Sequence, residues 1–378
     1  MNALLHHALV DLGILVSVCA GLALAPSPLV NPPQVPFGVR VPPHRAGAPE
    51  VTAQRRHYRV RLLSVGVATA GPVLLASAAL DRPGVGGLGG ALLVTVAAIV
   101  LWSRAHRALV DAKERGGWYR QTRQGAAADT SLRTDPVRFP WPWAIPAVVT
   151  VVASVLAGVA VYPDLPAELT LPYLSADGTV HPRYTTSPWT AFAFVIAQVL
   201  LTAGVAGTVA AVLRARADLD VSRPQTGAAL YRRYLTSLSR SLLATAALMD
   251  MMLLGLSAMA WSEIRSQPLT ALVIGLPCLA TLAIATHLLL RVGPGGRRLP
   301  AAVIDPTEAD TGLVPRDDDR FWYGAGTLYI NADDPAVLVT PRIGIGWTVN
   351  LGNPRFLALT SVLVALAVAT LTVTAITA

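Results

Sequence analysis

Residues 317–356 read DDDRFWYGAGTLYINADDPAVLVTPRIGIGWTVNLGNPRF, a polar island with an apolar segment on either side. Its pattern is that of a small β-rich insert. Stretches 321–330, 336–341 and 346–351 are strand-like, and 331–335 and 342–344 supply turn residues between them. A sheet of ~40 residues has little core of its own. Trp322, Tyr323, Tyr329 and Trp347 are therefore expected to pack on one another or on a membrane surface.

Working outward, the rest of the chain reads as membrane. Hydrophobic residues make up 53% and charged residues 14%, where a soluble domain carries about 25% charged residues. A bilayer-crossing helix needs roughly 20 apolar residues, and eight stretches qualify, at 4–24, 62–80, 85–103, 142–162, 189–213, 241–261, 269–290 and 356–376. The expected fold class is an all-α polytopic membrane protein of about eight transmembrane helices, with a cytoplasmic β-rich insert before the last. The organisation is a first helix (1–25), a helical pair (62–103), a helix–outer loop–helix unit (142–213), a second pair (241–290) and a last helix (356–377). Loops 26–61, 104–141 and 214–240 and the insert at 291–355 connect them. The first stretch resembles a signal peptide in length. Its neutral leading residues (Asn2, His6, His7) and the Asp11 within its apolar run favour a retained helix.

Charge distribution sets the expected orientation. Of 30 Lys and Arg residues, 27 lie in the loops after spans one, three, five and seven, and Arg82, Arg183 and Arg265 lie in the other three. Such alternation follows the positive-inside rule. The basic loops and the insert are expected in the cytoplasm, and both termini outside. The same clustering explains the net charge of +8, so no direct nucleic-acid partner is expected. Trp102, Trp141, Trp143, Trp189 and Trp261 fall at span ends, where interfacial aromatic belts belong. Glycines 86, 87, 89 and 90 would let a neighbouring helix approach closely. Lys113 is the sole lysine, a bias expected of a GC-rich, bacterial source. Cys19 and Cys278 each lie in an apolar run, which argues against a disulfide or a metal site.

Few residues stand out chemically. Asp250 sits mid-span, where a carboxylate costs about 2.5–3.5 kcal/mol on insertion scales. It reads either as a proton or cation site, with Gln198 and His287 as partners, or as a hydrogen-bonded pin between helices. Asp11, with His6 and His7, reads as a polar group snorkelling at the membrane edge. The run Asp317, Asp318, Asp319 admits a hard-cation site, but its spacing is not that of an EF-hand. The competing readings are a solvated acidic turn and an acidic patch held against the arginine-rich inner loops. No metal or other cofactor is expected. GIGW (344–347) lacks the strand–GxGxxG–helix context, and GxSxG and HExxH patterns do not occur. Enzymatic activity is not expected. Five prolines in the outer loop 162–188 suggest a compact hairpin or lid, the natural place to meet an extracellular ligand.

At this loop a resemblance begins. Tyr162-Pro163-x-Leu165-Pro166, Gly178 and Ser187-Pro188 resemble the domain of unknown function 1648, which forms the N-terminal part of the SdpI immunity-protein family. The Pro-x-His-Trp of that pattern is here Thr170-Leu171-Pro172-Tyr173, so its histidine is absent. DDDRFW (317–322), YINADDP (329–335) and GIGWTVNLGNP (344–354) resemble the domain of unknown function 5808. The run PFGVRVP (36–42), followed by RRHYR (55–59), resembles the first inner loop of proteins carrying both domains. The resemblance implies protection against a secreted toxic peptide and tethering of a small repressor at the membrane. The expected function is thus a non-enzymatic sensor, immunity or signal-transducing protein. Its partners are the lipid bilayer, an extracellular peptide or envelope-active compound, and a cytoplasmic regulatory protein. Tyr162, Pro163, Pro166, Tyr173 and Gly178 are the outer-loop candidates, and Asp317, Asp318, Asp319, Trp322, Tyr329 and Trp347 the partner-binding ones. The alternative is a secondary transporter or permease subunit using Asp250.

Overall fold

A computed structural model of the chain describes residues 2–80, 84–126, 134–172, 183–300, 307–344, 346–358 and 360–361. Among these are seven helices long and apolar enough to cross a membrane. They are α1 (Asn2–Leu24), α2 (Pro49–Ala79), α3 (Val85–Arg115), α4 (Trp141–Val161), α5 (Ala193–Val212), α6 (Pro224–Trp261) and α7 (Gln267–His287). Their outer faces carry large aliphatic side chains, Val67 and Leu75 being more than 70% exposed, as suits lipid. Of the expected eighth span, 356–358 and 360–361 are helical, and 359 and 362–376 lie outside the described residues.

Two helices start earlier than the sequence suggested. The run RRHYRVR (55–61) was expected in a loop, yet α2 begins at Pro49. Residues 224–240 were expected in a loop too, and α6 already runs through them. Arginine ends a membrane crossing, not a helix, because it is a good helix former. Proline at the first helical position costs nothing, since its missing N–H had no partner there.

The chain forms two compact units. The first contains α1–α3, the loop between α1 and α2, residues 215–228 and the insert from residue 307 onward, with β1 (Gln124–Gly125) parallel to β4 (Val314–Pro315). Its helices bury Leu15, Val73, Val94 and Ala98 against each other. Glycines set how closely they pack. A Cβ on Gly66 would lie 2.8 Å from Cys19 Sγ, and one on Gly87 2.7 Å from the Asp11 backbone. Gly86 and Gly90 are equally crowded, while Gly89 faces open space. Asp11 is fully buried at this contact, with the Ser77 hydroxyl 2.6 Å from its Oδ2. It is therefore a buried helix-pairing residue and not a snorkelling one, while His6 is exposed.

The second unit contains α4, α5, α7 and α6 from Ala229 onward. Ala144, Val209 and Leu243 form part of its core. The connection between α4 and α5 holds the expected hairpin, with β2 (Glu168–Thr170) antiparallel to β3 (Arg183–Thr185) and Leu169 opposite Tyr184. Of the five belt tryptophans, Trp141, Trp143 and Trp189 are exposed. Trp102 and Trp261 are instead buried, donating to Ala325 O at 3.1 Å and Ala191 O at 2.9 Å. A buried indole N–H needs an acceptor, and each found one inside its own unit.

Candidate functional site

The site is built where the insert meets the loop before α2 and the polar end of α3, all within the first unit. In the insert, β5 (Trp322–Tyr323) turns back onto β6 (Leu328–Tyr329). The sequence reading made 321–330 one strand. It is a hairpin because Gly324, Ala325 and Gly326 all take positive φ, which two glycines make cheap. Strand β7 (Leu338–Val339) pairs with β8 (Thr348–Val349), and a parallel bridge joins Tyr329 to Asn350. Trp322, Tyr329 and Val339 form the small core, with the two rings 5.0 Å apart.

Side chains replace much of the missing ladder. Asn350, fully buried, donates to the carbonyls of Asn331, Asp334 and Ala336 and accepts from the Asn331 and Gly352 amides. Asn353 Nδ2 donates to Asp334 O and Pro335 O. Tyr329 donates its hydroxyl to Asp334 Oδ2 at 3.0 Å, and Arg216 Nη1 reaches the same oxygen at 2.7 Å. Burial raises the Tyr329 hydroxyl pKa, the Asn331 hydrogen bond pulls it back, and the Asp334 carboxylate adds to the rise.

Loop 36–42 receives this domain. Phe37 and Gly38 both take positive φ, and the turn presses Gly38 onto the hairpin tip: a Cβ on Gly38 would fall 2.5 Å from Ala325 O. Phe37, Val39 and Val41 are fully buried, Phe37 lying 4.9 Å from the Trp102 ring.

Around this contact the three aspartates meet three cations. Lys113 Nζ lies 2.7 Å from Asp317 Oδ2 and 2.6 Å from Asp319 Oδ2. Arg40 Nε donates to Asp318 Oδ1 at 2.7 Å, and its backbone N–H to Asp319 Oδ1 at 3.0 Å. Arg342, its side chain only 2% exposed, donates through Nη2 to Asp318 at 2.6 Å, through Nη1 to Asp319, and also to Gly38 O at 2.6 Å. Its guanidinium lies over Trp322, 4.9 Å from the ring centroid. Burial would push the Asp318 carboxyl up; the Arg40 and Arg342 charges outweigh it and hold the carboxyl below its ordinary value. Burial would likewise lower the Arg40 guanidinium, and the Asp218 and Asp318 carboxylates reverse that into a rise. The result is a charge-balanced latch, the acidic patch held by basic inner segments that the sequence left as one alternative. Among the described residues no three His, Cys, Asp or Glu side chains converge as metal ligands.

Of the partner-binding candidates, Asp317, Asp318 and Asp319 face the chain's own cations, and Trp322 and Tyr329 are buried. Trp347 is half-buried. The surface left open beside the latch is a cleft of about 390 Å³, lined among others by Arg216, Arg316, Arg320, Asn331 and Asp333. Sequence reasoning missed Arg40, Lys113 and Arg342 as partners of the aspartates. Lys113 carried a signal, as the one lysine among basic residues that are otherwise all arginine.

In the second unit, Asp250 is fully buried, with Thr202 Oγ1 donating to its Oδ2 at 2.5 Å and Gln198 Nε2 to its backbone carbonyl at 2.7 Å. Its Oδ1 has no hydrogen-bond partner among the described residues. Gln198 is thus brought to Asp250; exposed His287 is not. In the outer loop, Tyr162 is half-buried, 5.8 Å from the Phe192 ring. Pro163 is exposed, and Pro166 O accepts from Thr186 Oγ1. Tyr173 and Gly178 lie outside the described residues.

Fold and site together fit a multi-pass membrane protein whose small β insert is latched to the loop before α2 and to α3. Residues 332–356, which include Asp334, Arg342, Asn350 and Asn353, match the model of a family of unknown function (DUF5808). No curated protein and no solved structure matches the chain.

Proposed function

We propose that this chain is a non-enzymatic, signal-transducing membrane protein of the immunity or sensor type. The hairpin between α4 and α5 meets an envelope-active peptide outside the cell. The insert, in the cytoplasm with the other basic segments, holds a soluble regulatory protein such as a transcription regulator. The observation that carries this reading is the buried latch. Three ion pairs fix the insert to the loop before α2 and to α3, which gives a partner a surface that moves with those segments. The open cleft presents Arg316, Arg320 and Asp333 for such a partner, none of them part of the latch.

The test is affinity purification of the full-length protein in mild detergent, wild type against Arg316→Glu with Asp333→Arg. The expected result is a soluble protein that co-purifies with the wild type and is lost with the variant. Equal recovery from both, or no soluble protein from either, overturns the tethering reading.

A second reading, a proton- or cation-coupled transporter, is favoured by one feature: a fully buried Asp250 whose Oδ1 has no hydrogen-bond partner among the described residues. Acids within membrane spans are rare and mark substrate or ion pathways and proton relays. Asp250→Asn keeps the shape and removes the charge. On this reading it abolishes a pH-gradient-driven flux in proteoliposomes; unchanged flux removes the reading's only residue.

A further inference from the structure

The latch also fixes which way the insert's first hairpin points. Lys113, which binds Asp317 and Asp319, lies eleven residues beyond Trp102 on α3, about 16 Å further along the helix axis. Trp102 stands where the apolar run of α3 ends, and its indole donates to Ala325 O at the hairpin tip. The insert therefore descends along α3 from the level of Lys113 to the level of Trp102, tip toward the bilayer. Gly326 against Gly38 and the Tyr58 ring 6.2 Å from Trp102 mark the same level.

Close to that tip, Tyr323 and Leu328 pair across the hairpin on the face opposite its small core, 52% and 46% exposed. Ile330 continues the same face, 40% exposed. Tyr323 is two residues and Leu328 three residues from Ala325 at the tip, less than about 11 Å of chain. They sit at the depth where amphipathic and aromatic side chains partition into the headgroup layer. Arg59 on α2 and Arg104 on α3 are exposed as well, one residue after Tyr58 and two after Trp102. Basic side chains near the surface are attracted to an anionic leaflet.

We propose that the β5–β6 hairpin is a lipid-binding element, seating Tyr323 and Leu328 among the headgroups while Arg59 and Arg104 hold anionic phospholipid phosphates. The face is then occupied by lipid, which leaves the charged cleft for any soluble partner. This inference needs the chain to span a membrane but does not depend on the signalling reading.

The experiment uses full-length protein with Cys19→Ala and Cys278→Ala and one added cysteine, at Tyr323→Cys, Leu328→Cys or Asp333→Cys. Each is spin-labelled in bilayers of phosphatidylcholine with or without phosphatidylglycerol. Oxygen partitions into lipid and a nickel chelate stays in water. The expected oxygen-to-nickel collision ratio at 323 and 328 is several-fold above that at 333. It should rise further with phosphatidylglycerol, and Arg59→Gln with Arg104→Gln should cancel that rise. Labels at 323 and 328 as open to nickel as the label at 333 overturn the proposal. So do labels shielded from both reagents, as beneath a protein partner. A ratio indifferent to phosphatidylglycerol overturns the role of the arginines.

Discussion

Arg342 satisfies two carboxylates and the Gly38 carbonyl from a nearly solvent-free position. Planarity matters here: a guanidinium presents several donors in a fixed fork, where an ammonium is a point charge. Removing one member of a buried ion pair strands the others and costs about 3–5 kcal/mol. Arg342→Met should therefore release the insert, seen as faster amide hydrogen exchange over 317–353 with α4–α7 unchanged, and Arg342→Lys should restore only part of the protection. The pH dependence follows from Asp318. Its carboxyl is held below its ordinary value in the folded protein, so in acid the unfolded state binds more protons. The stability it contributes is present above about pH 3.9, the unfolded value, and is lost as pH falls through the lower folded one. Exchange protection of the insert should thus hold down to roughly pH 4 and collapse below it. Asp318→Asn should be weaker at neutral pH and flatter in acid. Acid sensitivity that is the same in wild type and Asp318→Asn would place the titrating group elsewhere.

At the scale of elements, the latch explains what the sequence made legible and what it did not. Apolar runs located every crossing helix among the described residues, because a bilayer imposes length and composition together. Helix ends were legible only where glycine or proline punctuates, as at Val85, and not where arginine does, as in 55–61 and 224–240. The three aspartates were conspicuous, but choosing Arg40 and Arg342 from 29 arginines needs contacts that span 278 and 24 residues. The hairpin tip was hidden for another reason. Its fit depends on backbone meeting backbone, Gly326 against Gly38, with no side chain to leave a pattern. That contact makes the next prediction. A Cβ on Gly326 would lie 2.6 Å from Gly38 Cα, at a φ of +89° that L residues avoid. Gly326→Val should part the hairpin from loop 36–42 and open the amides of 37–41 to exchange. Trp102→Phe removes the hydrogen bond to Ala325 O, a net loss of about 1 kcal/mol, and trims the ring that packs on Phe37 and Tyr58 while keeping the tip's backbone contact. Its exchange should change far less than that of Gly326→Val; comparable effects from the two would mean the indole, and not glycine contact, holds the tip.

For the whole molecule, the decisive quantity is which side of the membrane each polar segment occupies. The latch bears on this, because Arg40, Lys113, Asp317–Asp319 and Arg342 are in direct contact and so share one aqueous side. That joins three separate basic segments, 26–48, the end of α3 and the insert, without any appeal to charge counting. By the positive-inside rule the shared side is expected to be the cytoplasm, since the loops after spans one, three, five and seven hold 27 of the 30 basic residues. Glu168 and Arg183 of the β2–β3 hairpin are exposed and belong to a loop with a single arginine, so the same rule predicts them outside. In a background of Cys19→Ala and Cys278→Ala, Glu168→Cys should react with a membrane-impermeant maleimide in intact cells, while Asp333→Cys and Arg316→Cys should react only after permeabilisation. Inverted labelling at all three positions would reverse the orientation and leave the latch intact, because the ion pairs require only a common side. Labelling of Asp333→Cys and Glu168→Cys from the same side would be the more damaging outcome. It would require an odd number of crossings between the hairpin and the insert, where α5, α6 and α7 already supply three, to become even, and with it one of those helices would have to lie in the membrane without spanning it.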